Sequence, residues 1–250
     1  MRDRILKKLN EISVAENIKI LFACESGSRG WKFPSIDSDY DVRFIFVRKP
    51  DAYSTIFPAV MDLQFPIHED LDMYGWDLRK VLTLLYSSNA TPFEWIQSPI
   101  VYCQELTFKK FFLQLIESYF DERKQVHHYL GTVRSKIDIL EYKKVKLKSL
   151  FYVLRSLLAA EWSLNNNSYP PMIFDELMVL MPKDICNEAI DLVALKSNVN
   201  EQFEYTLTSS LRQYISDKFR SLEAKAKLTE SKQFDKDHLE EFFKSILHQS

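Results

Sequence analysis

Between Glu25 and Val47 the chain reads ESGSRGWKFPSIDSDYDVRFIFV, and two aspartates one residue apart, Asp39 and Asp41, stand at the start of a run that alternates like a strand. Alternation sends Asp39, Asp41, Arg43, Ile45 and Val47 to one face and Tyr40, Val42, Phe44 and Phe46 to the other. The second face is a core face. The first begins with two carboxylates, which repel each other unless water surrounds them or something sits between them.

The neighbourhood of the pair is organised. IKILFACES reads as a short buried strand, and the polar GSRG ends it in a turn. Glycine occurs only 4 times, and Gly27, Gly30 and Gly75 all fall in the first third, beside the acidic residues. Glycine supplies positive backbone dihedrals at no steric cost, so this bias marks where the backbone must turn sharply or be approached closely.

Ile5, Leu9, Ile12 and Val14 predict an amphipathic helix over residues 2–15. HEDLDMYGWDLRKVLTLLY predicts a strand through Met73, a turn at Gly75 and a helix capped by Asp77. Thr91, Pro92 and Glu94 match a cap, a first-turn proline and a capping-box glutamate. Beyond them helical patterns run near 107–122, 123–141, 143–165, 173–180, 184–197, 201–227 and 235–248. The expected fold class is α+β: a small mixed β-sheet domain with flanking helices over 1–105, then an all-helical domain over 106–250 that closes one side of a cleft.

Composition narrows the function classes. With 33 basic and 35 acidic residues the net charge is -2, so no global basic field advertises nucleic-acid binding and any such contact is local. Cys24, Cys103 and Cys186 are odd in number and far apart, which fits reduced thiols rather than a disulfide frame or zinc site. No signal-like start and no run of about 18 uncharged apolar residues is present. The expectation is a cytoplasmic protein without a membrane partner.

A hard cation such as Mg²⁺ takes oxygen ligands, commonly one or two carboxylates with water and substrate phosphate oxygens. Asp39 and Asp41 fit that role, sharing one ion or bridging two, and Mn²⁺ can substitute. Two such ions about 3.5 to 4 Å apart activate an attacking oxygen and stabilise a leaving one. A third carboxylate is expected from a neighbouring strand. HEDLDM offers Asp70 and Asp72, of which Asp72 lies deeper in the apolar run, whereas Asp77 has a helix cap as a structural alternative. Gly27 lets backbone N–H groups approach an anion, Ser28 can donate to a phosphate oxygen, and Arg29 adds a charge-assisted contact. Further on, KKVKLKSLFYVLR sets Lys148, Tyr152 and Arg155 near one helix face, either as a basic flank or as a clamp on a triphosphate or nucleic acid.

GSRGWKFPSIDSDYDVRF resembles the glycine-serine, then Asp-x-Asp, signature of the DNA polymerase β-like nucleotidyltransferase superfamily, and is most similar to its YcgL/RlaP branch. GWDLRK, SPIVY, KSLFYVLRSLLAAEW and PPMIFDELM extend the resemblance from about Leu21 to about Met178. Gly30 and Lys32 stand where GSRAWG-like relatives carry alanine and glycine. The resemblance implies Gly27 and Ser28 on a nucleoside triphosphate, Asp39 and Asp41 on metal, and Asp72 as third carboxylate orienting an acceptor hydroxyl. It implies transfer of a nucleoside monophosphate with pyrophosphate release, to an RNA end as in RNA repair or tailing. A protein acceptor, as in AMPylation, or a nucleotide- or RNA-binding module without turnover, are the alternatives. The oligomeric state is open.

Overall fold

A computed structural model describes residues 1–57 and 59–248 of the chain. In chain order the elements are α1 (Arg2–Ala15), β1 (Ile18–Glu25), the single turn α2 (Gly27–Gly30), β2 (Tyr40–Arg48), β3 (Asp62–Gln64), β4 (Leu71–Asp77), α3 (Leu78–Tyr86), α4 (Ala90–Ile96), β5 (Val101–Gln104) and α5 (Leu106–Glu117). There follow α6 (Glu122–Arg134), β6 (Lys144–Lys146), α7 (Leu147–Asn166), α8 (Phe174–Leu177), α9 (Lys183–Lys196), β7 (Glu204–Thr206), α10 (Ser209–Ala226) and α11 (Asp237–Leu247).

The chain divides into two compact units, each discontinuous in sequence. The first holds residues 1–30, 39–119 and 233–250, and the second holds 31–38 and 120–232. Packing, rather than the single cut after residue 105 expected from the sequence, decides the grouping. Helix α5 stays with the sheet because Phe108 and Phe112 stack at 5.2 Å and both meet Phe242 of α11, at 6.0 and 6.1 Å. Residues 31–38 leave it because Phe33 stacks on Phe151 at 4.9 Å and meets Phe174 edge-on at 5.5 Å.

The first unit is built on a five-stranded sheet of order β3-β4-β2-β1-β5. β1 runs antiparallel to β2 and β5, while β2 and β4 are parallel. Val42, Phe44 and Phe46 form the expected core face, joined by Ile5, Leu9 and Ile12 of α1 and by Leu71, Met73 and Tyr102. On the other face Ile45 and Val47 are buried as well, so only the start of β2 keeps a polar, partly exposed side.

Gly75 is not a turn. It lies inside β4, paired with Phe44, where a Cβ would stand 2.1 Å from the Phe44 ring. The strand therefore runs on to Asp77, whose carboxylate caps α3 as expected by accepting from the Arg79 amide at 2.8 Å. The cap of α4 is Asn89, which accepts from Thr91 N at 2.9 Å, two residues ahead of the Thr91 expected from the capping-box pattern.

The second unit is mainly helical but not all-helical. Residues 144–146 and 204–206, expected inside helices, pair as a two-stranded antiparallel ribbon, with Val145 opposite Tyr205. Only Val145 of KVK is buried, the alternation of a strand that a run of lysines hides. Asp121, fully buried, ties α6 to the chain after α10: it accepts from the Lys124 amide at 2.9 Å and, at 2.7 Å each, from Ser231 Oγ and the Lys232 amide.

Two outcomes follow. Gly75→Ala forces the Phe44 ring to move and is expected to cost about 1–3 kcal/mol in urea denaturation. Burial by itself pushes the Asp121 carboxyl up, but its three hydrogen bonds outweigh this and hold it below the usual carboxylate range. Its contribution is therefore present at neutral pH and lost as pH falls through the usual carboxylate value and then the lowered one. Asp121→Asn should lose about 1–2 kcal/mol at pH 7, and denaturation at a series of pH values should show the gap from wild type closing below about pH 4.

Candidate active site

The parallel pairing of β2 and β4 sets Asp41 directly opposite Asp72, and both side chains leave the sheet on the face away from the Phe44 core. Arg43, two residues on, belongs to that same face. Its Nη2 donates to Asp41 Oδ1 and to Asp72 Oδ2, each at 2.7 Å, while Nη1 donates to the backbone oxygens of Asp72 at 3.1 Å and Val42 at 3.2 Å. The group between the carboxylates is thus a guanidinium supplied by the same strand. Arg43 is 17% exposed, Asp41 27% and Asp72 22%, so the cluster is half-buried and faces solvent on one side.

Gly27 lies against this cluster. Its φ is +56°, the left-handed region, and a Cβ there would be 2.0 Å from Asp41 Oδ2. Both the dihedral and the clearance require glycine. The Ser26 amide donates to Asp41 O at 2.8 Å, which holds the GSRG turn to the start of β2.

Behind the pair lies Glu25, with no exposed surface. Its Oε1 accepts from the Asp41 amide at 2.8 Å and its Oε2 from the Tyr102 hydroxyl. Ser98 Oγ donates to Glu25 O at 2.6 Å, and the Glu25 amide donates to Ile100 O at 2.9 Å. SPIVY thus wraps Glu25. Burial raises the Glu25 carboxyl above its usual range despite its two donors. Burial also raises Asp41, against the pull of Arg43 and with the negative charges of Asp72 and Asp39 adding to the rise.

Asp39 is exposed and directly precedes β2. Arg29 Nε donates to its backbone oxygen at 3.1 Å, and the guanidinium lies 3.9 Å from the Tyr40 ring centre. Ser28 is buried in the GSRG turn. Lys148, Tyr152 and Arg155 share α7, in the second unit. Lys148 pairs with Glu201 at 2.6 Å, and Tyr152 meets Trp31 edge-on at 4.9 Å. Arg155 is 2% exposed, donates to Met172 O at 3.1 Å and lies 4.5 Å from the Trp31 ring. These contacts lie within the second unit.

Residues 1–245 match the family model described as RlaP, the RNA repair pathway DNA polymerase beta family. The chain belongs to the RlaP family. A curated relative, the uncharacterized protein YcgL of Bacillus subtilis (strain 168), is 42% identical over 179 residues, 71% of this chain and 69% of that protein. A crystal structure of a nucleotidyltransferase-like protein from Exiguobacterium sibiricum 255-15 matches at 13% identity, covering 89% of this chain and 74% of that one, with a TM-score of 0.33.

For a member of the RlaP family the donor chemistry at this face fits a hard divalent cation. Two carboxylates already converge on one cationic group, and glycine keeps the space beside Asp41 open. Among the described residues no three His, Cys, Asp or Glu side chains are gathered closely enough to hold an ion by themselves. Asp41 and Asp72 would supply two of the ligands, and the rest would come from Asp39, from water or from substrate oxygens.

Sequence reasoning passed over Arg43, Glu25 and Tyr102. Arg43 had a signal, since strand alternation puts it on the face of Asp41. Glu25 and Tyr102 had none, because their meeting depends on β1 pairing with β5. Tyr102→Phe removes a hydrogen bond from a fully buried carboxylate and is expected to cost about 1–3 kcal/mol in thermal or urea unfolding.

Proposed function

We propose that this chain is a metal-dependent nucleotidyltransferase that moves a nucleoside monophosphate from a nucleoside triphosphate to a hydroxyl at an RNA end. The observation that carries the reading is register: Asp41 and Asp72 stand opposite each other on parallel strands and face one cation, beside a glycine held at positive φ. The same register favours Asp72 as the third carboxylate over Asp77, whose oxygens are committed to the Arg79 amide and to the Tyr53 hydroxyl at 2.9 Å. The RNA acceptor rests on the family description.

In this reading the acceptor oxygen attacks the α-phosphorus, the bond from that phosphorus to the β-bridging oxygen breaks, and pyrophosphate leaves with the electron pair. Asp72 orients the acceptor hydroxyl and takes its proton. Asp39, Asp41 and Asp72 would hold two Mg²⁺ ions, with Mn²⁺ able to substitute, and the bound metal would supply neutralisation of the triphosphate charge. Gly27 and Ser28 receive phosphate oxygens at the GSRG turn, and Arg29 adds a charge-assisted contact there. Lys148, Tyr152 and Arg155, which share α7, are the further candidates for contact with the triphosphate or a nucleic acid backbone. Most of the catalysis is positioning and charge stabilisation.

The test uses purified protein, Mg²⁺ or Mn²⁺ and each of the four α-labelled nucleotides with RNA of defined ends. Label should pass to RNA, and Asp41→Asn and Asp72→Asn should each lower the rate by about 10²-fold or more while the fold is kept. Label found instead on a protein acceptor moves the assignment to AMPylation. No transfer to RNA, DNA, protein or small hydroxyl compounds by folded protein overturns the enzymatic reading.

A further inference from the structure

We infer that Arg43 is the resident cation of the Asp41–Asp72 seat, and that a divalent ion enters by displacing its guanidinium rather than by filling a vacant site. The inference rests on the metal reading given above and concerns a residue to which that reading gives no task.

One terminal nitrogen of Arg43 serves both carboxylates at 2.7 Å, and the other is held by two backbone oxygens. The side chain is thus folded back along its own strand onto the residue two before it and across to the neighbouring strand. Guanidinium does not deprotonate in proteins, so raising the pH does not vacate the seat. Mg²⁺ and Mn²⁺ need carboxylate oxygens at close range, about 2.0–2.1 Å for Mg²⁺, with a near-octahedral shell. A guanidinium nitrogen on the same two oxygens obstructs that shell and places a positive charge against a doubly positive one in a half-buried setting, where repulsion is weakly screened.

Until the ion arrives Arg43 keeps two like charges together and the seat in shape. Once it arrives Arg43 is the competitor. These two effects have opposite signs, which separates the role from that of an ordinary structural ion pair. Removing a structural pair lowers stability with and without metal. Removing a competitor lowers stability without metal and increases what metal restores.

The experiment compares wild type, Arg43→Gln and Asp41→Asn, titrating Mn²⁺ alone by electron paramagnetic resonance of the free ion, with melting temperatures measured with and without Mg²⁺. The expected result is a lower melting temperature for Arg43→Gln without ion, a larger Mg²⁺-induced rise than in wild type, and at least about tenfold tighter Mn²⁺ binding, a difference of about 1.4 kcal/mol. Asp41→Asn should lose Mn²⁺ binding. Equal or weaker Mn²⁺ binding by Arg43→Gln, with wild type binding the ion and Asp41→Asn not, overturns the displacement and leaves the metal reading standing. Absence of Mn²⁺ binding in wild type and Arg43→Gln alike, with and without nucleoside triphosphate, overturns both. If Arg43→Gln does not fold, the Arg43 guanidinium signals of wild-type protein decide by nitrogen-15 NMR: restricted rotation about the Cζ–Nη bonds should be released on adding Mg²⁺, and its persistence at a saturating ion concentration overturns the inference.

Discussion

A slip of one residue between β2 and β4 would send Asp72 to the apolar face and Met73 or Leu71 to the site. The parallel register that sets Asp41 opposite Asp72 is therefore the constraint on which the rest of the first unit depends. It is fixed from the other side of the sheet. Phe44 lies over Gly75 with no room for a side chain there, and Val42, Phe44, Leu71 and Met73 share one buried cluster with α1. Apolar packing on one face thus decides where charge meets charge on the other.

The charged face is supported from behind. Glu25 spends both carboxylate oxygens inside the sheet, one on the Asp41 amide and one on Tyr102, and SPIVY closes around it. A buried carboxylate costs free energy unless its lone pairs are satisfied, and here every partner comes from β2 or from the chain around β5. The three strands β1, β2 and β5 are thereby tied at the end that carries the site. Arg43 completes the electrostatics in front, which explains how Asp41 of β2 and Asp72 of β4 stand opposite each other without a further partner from a distant loop.

The second unit holds the chain between GSRG and Asp39. Residues 31–38 belong to it through Trp31 and Phe33, and Ser35 receives a hydrogen bond at 2.8 Å from the buried Lys196. Asp37 Oδ1 accepts from the Glu201 amide at 2.9 Å. Held at these points, the segment is continuous with Asp39. The eight residues between GSRG and Asp39 are thus packed rather than slack.

Much of this was legible in the residues. Alternation through DSDYDVRFIFV told the core face from the charged face, GSRG told where the backbone must turn, and HEDLDM contained Asp72. Those features are local, and period-two patterning or a glycine dihedral acts over a few residues. Gly75 was misread as a turn because a glycine that admits an aromatic ring from the next strand looks the same in sequence as one that bends the chain. The ribbon of residues 144–146 and 204–206 was misread because neither half has enough apolar residues to declare itself alone. The return of α11 to α5 and the meeting of Glu25 with Tyr102 join residues far apart in the chain. By itself the sequence determined which residues carry the charge and which face they occupy, because side-chain direction alternates along any strand. Only the tertiary structure decided that Asp41 meets Asp72 and that Arg43 lies between them, because strand register is set by packing on the opposite face.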